Sequence, residues 1–251
     1  MRLLRPLVIF IGLIAAWQIA VMLIGVPPFI LPSPADVAGA LIKRQEVLLG
    51  HAGVTLLEIV LGLALGVLFG AFGALVMSYF APARRWLLPV LVISQAIPVF
   101  ALAPVLVLWL GFGMASKVAM ATLIIFFPVT AALFDGLRRT DPGLLDLART
   151  MNASRGAILR HIRIPAALPA FASGVRVATA VAPIGAIVGE WVGSSSGLGF
   201  LMLHANARMQ IDTMFAALFL LAIMAVALYF AVDAALSRLL TWQPDTQPSE
   251  D

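Results

Sequence analysis

VTLLEIVLGLALGVLFGAFGALVMSYF, residues 54–80, carries a single charge, Glu58, in an otherwise apolar run. At 1.5 Å of rise per residue, one helix of this length crosses a hydrocarbon core ~30 Å thick. Five further runs share its character: residues 7–26, 86–110, 118–134, 166–192 and 214–240, of which 118–134 is the shortest. The chain is 62% hydrophobic and 11% charged, with a mean hydropathy of +1.06. Soluble domains carry roughly 25% charged residues. Too few polar side chains remain to cover a water-facing surface, so lipid is part of the solvent. The expected fold is all-α: a multi-pass membrane protein of six transmembrane helices.

Charge supplies the orientation. With the N-terminus in the cytoplasm, eleven basic residues fall inside: Arg2, Arg5, Arg84, Arg85, Arg138, Arg139, Arg149, Arg155, Arg160, Arg163 and Arg238. Four fall outside, Lys43, Arg44, Lys117 and Arg208, and Arg176 lies within a span. The bias places both termini inside, since an even number of spans returns the chain to its starting side. The net charge of +4 and pI near 10.3 do not indicate nucleic acid, because the basic residues lie between apolar runs and not on one exposed face. Without cysteine the chain has no disulfides, Cys-based zinc sites or thiol nucleophiles, and neither metal nor cofactor is expected.

The first run follows Arg2 and Arg5 but is longer than the apolar core of a signal peptide, and no small-x-small cleavage site follows it. It is expected to be a retained anchor. Residues 1–50 then comprise this helix and an outer amphipathic segment, 35–50, lying along the membrane surface. Residues 51–240 form the transmembrane core and 241–251 a polar, disordered tail. No internal repeat is evident. Gly62, Gly66 and Gly70 form a small-xxx-small face for close helix packing. Pro98, Pro104, Pro128 and Pro183 are expected to interrupt their spans, where protein or water must satisfy the freed carbonyls.

The stretch 135–165 is too long for a plain connection, and the charge bias puts it inside. Asp141-Pro142 reads as an N-cap followed by proline at the first helical position. Leu144, Leu145, Leu147, Ala148 and Met151 form an apolar stripe at helical spacing. Asn152 suits a left-handed C-terminal turn, and Ser154 can cap a second short helix bearing Arg155, Arg160 and Arg163. The residues alone leave two uses open: seating in a groove on another protein, or lying on anionic headgroups.

Asp146-Leu147-Ala148-Arg149-Thr150-Met151-Asn152-Ala153-Ser154, followed by Ile162-Arg163-Ile164-Pro165-Ala166-Ala167-Leu168-Pro169, resembles the EAA loop of ABC importer permeases. The family pattern is E-A-A, then G after three intervening residues, and later I-x-L-P. Here Asp146 stands for Glu and keeps the charge, Leu147 stands for the first Ala, and Asn152 stands for Gly and keeps the turn. The resemblance covers most of 50–240. Leu31-Pro32-Ser33-Pro34, Ser94-Gln95-Ala96-Ile97-Pro98 and Leu108-Trp109-Leu110-Gly111-Phe112-Gly113 are similar to the nitrate/sulfonate/taurine group. Val181-Ala182-Pro183-Ile184-Gly185, Gly189-Glu190-Trp191-Val192-Gly193 and His204-Ala205-Asn206-Ala207-Arg208-Met209-Gln210 resemble permeases for thiamine-precursor pyrimidines.

The resemblance implies a type-1 importer permease fold in the bacterial inner membrane, forming the pathway for a small polar solute. It implies a homodimer, two ATPase subunits and an extracytoplasmic solute-binding protein. It assigns ATPase coupling to Asp146, Ala148, Met151, Asn152, Ser154, Ile162 and Pro165. The chain itself is not an enzyme, and it lacks the G-x-x-x-x-G-K-[ST] phosphate loop of a nucleotide-binding partner.

Three polar residues are pathway candidates: Gln95 beside Pro98, Asn206, and Glu190, whose carboxylate must face protein or water. Arg176 is a candidate partner for Glu190, though not along one helix. Two rival functions remain. A secondary transporter would show repeated halves and paired intramembrane charges, and neither is evident. Gly193-Ser194-Ser195-Ser196-Gly197 matches the G-x-S-x-G string of serine hydrolases, which requires a preceding strand where this sequence has a membrane helix.

Overall fold

A computed structural model describes residues 4–242, so the expected tail lies, from residue 243 on, outside the described residues. In chain order the helices are α1 (Leu4–Ile24), α2 (Pro34–Lys43), α3 (Gln45–Tyr79), α4 (Ala81–Ser94), α5 (Val99–Leu110) and α6 (Met114–Arg138). They continue as α7 (Pro142–Thr150), α8 (Arg155–Ile158), α9 (Ile164–Gly193), α10 (Leu198–Ala207) and α11 (Ile211–Leu239). One π-helical turn, Leu159–Arg163, joins α8 to α9. No strand occurs among the described residues.

Glycine decides the centre of the bundle. Gly62 faces Ala121, Gly66 faces Ile125 and Gly70 faces Val129, each so closely that a Cβ would overlap the opposing side chain. The two sets of numbers rise together, so α3 and α6 run parallel. Helix α9 packs along the same stretch of α6: Gly174 meets Pro128, Gly185 meets Ala121 and Gly189 meets Lys117. There one set rises as the other falls, so α9 is antiparallel. Helix α6 is thus gripped between two glycine-bearing faces, the close approach that small residues permit within a membrane. Ile59, Leu63, Ile125, Val129, Ala178 and Ala182 fill the seam. Helix α11 returns antiparallel to α9: Arg176 meets Asp233 near one end, and Ile187 packs with Ala216 and Ala217 at the other.

The run 86–110 is not the single helix expected. Helices α4 and α5 meet at 104°. Pro98 takes an extended conformation (ψ 118) as the N-cap of α5, and proline disfavours helix for the residue before it. The parallel register of α3 and α6 settles what this bent pair does. The chain leaves α3 at one end and enters α6 at the other, so α4 and α5 together carry it across. The other prolines do not break their helices: Pro104, Pro128 and Pro183 lie inside α5, α6 and α9. Four helices are long and apolar enough to cross a membrane singly, and the bent pair makes a fifth crossing.

The expected segment 35–50 is also revised. It divides at Arg44, with α2 before it and the first turn of the 35-residue α3 after it. Helix α2 does not lie free along a surface. Val37 and Ala40 are buried with Leu48, Leu198 and Ala216, so α2 closes one end of the bundle. Its start is fixed by a capping box: Asp36 N–H donates to Ser33 Oγ at 3.2 Å and Ser33 N–H to Asp36 Oδ2 at 3.0 Å, and the Ser33 hydroxyl, donating to Oδ2 at 2.7 Å, holds the Asp36 carboxyl below its usual range. Trp17 of α1 lies 5.8 Å from the Phe215 ring of α11, seating α1 beside the same cluster.

Candidate functional site

The loop 135–165 projects from the end of the bundle where α3 finishes. Its helix signals form as expected. Asp141 Oδ1 accepts from Gly143 N–H at 2.7 Å, capping α7, an interaction of ~1 kcal/mol. Asn152 adopts a left-handed conformation (φ 55). Ala153 N–H donates to Ala148 O at 2.9 Å and Asn152 N–H to Arg149 O at 3.0 Å, the Schellman pairing that closes a helix C-terminus. Ser154 Oγ then accepts from Ala157 N–H at 3.2 Å, starting α8.

These turns present the sequence-derived residues differently. Ala148 is buried at 6% exposure, whereas Leu144, Leu147 and Met151 are 49%, 58% and 74% exposed. Their spacing puts the three on one helical face, an apolar strip pointing away from the protein. Asp146 pairs with Arg149 at 2.7 Å on the solvent side. Ile162 is half-buried in the π-turn and Pro165 is exposed in the first turn of α9.

At the opposite end, near α2, a buried polar group joins three helices, α3, α9 and α10. Glu190 is 1% exposed. Its Oε1 accepts from Thr55 Oγ1 at 2.6 Å, and its Oε2 accepts from Gly199 N–H in the first turn of α10. Leu198 N–H donates to Thr55 Oγ1 at 2.8 Å, and Gly197 N–H to His51 Nδ1 at 3.0 Å. A carboxylate at a helix N-terminus meets unpaired N–H groups and the positive end of the helix dipole. Gly197 has φ 106, and a Cβ there would overlap the Glu190 carboxylate, so the turn admits no side chain. Beside this group, Lys117 Nζ lies 3.1 Å from Glu58 Oε1, with side chains 5% and 0% exposed. Glu58 Oε2 has no hydrogen-bond partner among the described residues, and Glu190 is its electrostatic neighbour.

This geometry corrects two expectations. Arg176 is not the partner of Glu190: it binds Asp233 at 2.6 Å. Paired charges do occur within the bundle, Lys117–Glu58 and Arg176–Asp233. Lys117, counted as a loop residue in the sequence, is buried in the first turn of α6. Sequence reasoning overlooked Lys117, Asp233 and Thr55. The available signal was that Asp233 stands alone in an apolar run and Thr55 lies one turn before Glu58.

The three pathway candidates do not converge within one chain. Gln95 is exposed at the break between α4 and α5. Asn206 lines an apolar cavity of about 690 Å³ with Trp191, Met202 and Leu218, while Glu190 points the other way into its network. The serine string forms the turn between α9 and α10, with a helix and not a strand before it. Ser196 N–H donates to Ser194 Oγ at 3.0 Å, Ser195 is exposed, and His51 accepts from Gly197 N–H. No base addresses a serine nucleophile among the described residues.

A bundle gripped around α6, crossed by a bent helix pair and carrying a capped two-helix loop at one end matches a transport fold. Residues 62–240 match the family described as binding-protein-dependent transport system inner membrane component, and the chain belongs to that family. It is the permease subunit of an ABC importer, an inner-membrane transport component and not an enzyme. ATP hydrolysis resides in a separate subunit, and a binding protein delivers the solute.

A Haemophilus influenzae protein named "Probable ABC transporter permease protein" is 58% identical over 239 residues, 95% of this chain and 98% of its own. The formylaminopyrimidine transport permease protein ThiX of Halalkalibacterium halodurans is 36% identical, covering 96% of each chain. The riboflavin transport system permease protein RibX of Chloroflexus aurantiacus is 38% identical, over 92% of this chain and 87% of its own. An inward-facing MetNI methionine ABC transporter structure superposes with a TM-score of 0.68 at 20% identity, over 78% of this chain and 98% of that one, a likeness of fold.

Proposed function

We propose that this permease crosses the membrane six times with both termini cytoplasmic, and that two copies form the pathway. Loop 135–165 couples each copy to one of two ATPase subunits. Helix α1 is the sixth span: its 21 residues reach ~30 Å, one hydrocarbon core. The second copy covers the bare apolar surface of α4 and α5, where Trp86, Leu108 and Trp109 are 79%, 82% and 75% exposed. Residues 51–240 are the working core.

The observation that carries the coupling reading is the strip Leu144–Leu147–Met151, exposed on one face of a short capped helix. Such a helix face suits a groove on a partner. Asp146, Asn152, Ser154, Ile162 and Pro165 hold the strip in place, and buried Ala148 anchors it. Gln95, at the break within the α4–α5 crossing, and Asn206, at the outer end, face the solute, and Glu190 braces α10 and the turn before it. The solute is a thiamine-precursor pyrimidine, a reading supported by the ThiX relative and by the residues around Glu190 and Asn206.

Leu147→Asp tests coupling without disturbing a buried residue. The variant inserts and folds, while co-purified ATPase falls roughly tenfold or more, as for loss of an interface anchor. Wild-type recovery of the ATPase, with transport intact, refutes it. Uptake of labelled formylaminopyrimidine by vesicles carrying permease, ATPase and loaded binding protein tests the solute. Saturable riboflavin uptake without pyrimidine uptake overturns that part alone.

A further inference from the structure

At the end of the bundle where α3 finishes, a cavity of about 450 Å³ opens between α3, α7 and the segment joining α8 to α9. Three arginines line it, Arg149, Arg155 and Arg163, with Ser78 and Tyr79, and no acidic side chain does. Asp146 neutralises Arg149 from outside the cavity, at 2.7 Å. Among the described residues no carboxylate pairs with Arg155 or Arg163. Arg163 Nε is buried without a hydrogen-bond partner.

A guanidinium N–H taken out of water is costly when it donates to nothing, and like charges gathered about one cavity repel. An anion inside relieves both. Guanidinium forks match the oxygens of a phosphate group, and the Ser78 and Tyr79 hydroxyls add further donors. Ile158 and Leu159 supply an apolar wall for an organic remainder. The cavity lies where a membrane-crossing helix ends at Tyr79 and Phe80, the level at which aromatic residues meet lipid headgroups.

We propose that this pocket binds a phosphate group, carried by an anionic phospholipid or by a soluble phosphate, and so fastens the loop to the end of α3. The assignment does not depend on which side of the membrane the loop occupies.

The test uses the full chain with its ATPase in phosphatidylcholine nanodiscs doped with phosphatidylglycerol, read by native mass spectrometry. The wild type retains phosphatidylglycerol roughly tenfold or more over Arg155→Gln/Arg163→Gln. Arg155→Lys/Arg163→Lys, which keeps the charge, retains an intermediate amount. Displacement of the lipid by millimolar inorganic phosphate, or phosphate binding without lipid enrichment, assigns the site to soluble phosphate. Resistance to displacement assigns it to the headgroup. Should the double variant fail to fold, exposed Arg155→Gln alone carries the comparison. If neither probe distinguishes wild type from variants, the proposal fails; loss of the ATPase alone would mark the arginines as a protein contact instead.

Discussion

Replacing Lys117 with methionine removes a buried charge from the bundle while keeping a side chain of similar length. Lys117 and Glu58 are 5% and 0% exposed, with Nζ and Oε1 3.1 Å apart. Removing one member of a buried pair strands the other, at a cost of ~3–5 kcal/mol. Steric terms are small, since Gly189 packs on the Lys117 backbone and first side-chain carbons, which methionine retains. For a chain of this size the loss corresponds to a melting-temperature drop of about 6–20 °C. The assay is thermal unfolding of the detergent-solubilised protein, with Glu58→Gln and the double variant Glu58→Gln/Lys117→Met completing a cycle. The double variant should lie within ~1–2 kcal/mol of the wild type, because no charge is then left unpaired. A Lys117→Met protein as stable as the wild type would refute the inference that this pair holds α3 to α6.

Gly66→Val drives a branched side chain into Ile125, and thermal unfolding should show a loss of ~1–3 kcal/mol or more; an unchanged midpoint would contradict the contact of α3 with α6. Asn152→Gly should leave stability and ATPase recovery unchanged, whereas Asn152→Val should cost ~1–2 kcal/mol at the φ 55 position and release the loop, measured by limited proteolysis. Glu190→Gln cannot accept from both Thr55 and Gly199 with full charge, and should lose ~1.5–3 kcal/mol of stability by the same unfolding assay. For sidedness, exposed Glu46→Cys should react with an impermeant thiol reagent in intact cells, and Gly156→Cys, in open space, only after permeabilisation. Labelling of Gly156→Cys from outside would invert the topology.

What the sequence determined by itself was everything that depends on neighbours within a few residues. Long apolar runs mark helices for lipid, since backbone groups in hydrocarbon must pair within their own segment. Asp141, Asn152 and Ser154 announced the loop's caps and turn because each side chain serves backbone groups only a few residues away. The face of Gly62, Gly66 and Gly70 was visible as a period of four, and only its partner was hidden. Tertiary structure alone decided which charges meet. Arg176 and Asp233 are 57 residues apart, and Thr55 and Glu190 are 135 apart. Those pairings follow from the register in which α3, α6, α9 and α11 lie side by side, which no local pattern encodes. The prolines show the same: all lack the same N–H, yet Pro98 turns the chain while Pro128 and Pro183 stay within continuous helices packed in the bundle. A missing hydrogen bond is local, but what compensates for it is supplied by the helices alongside.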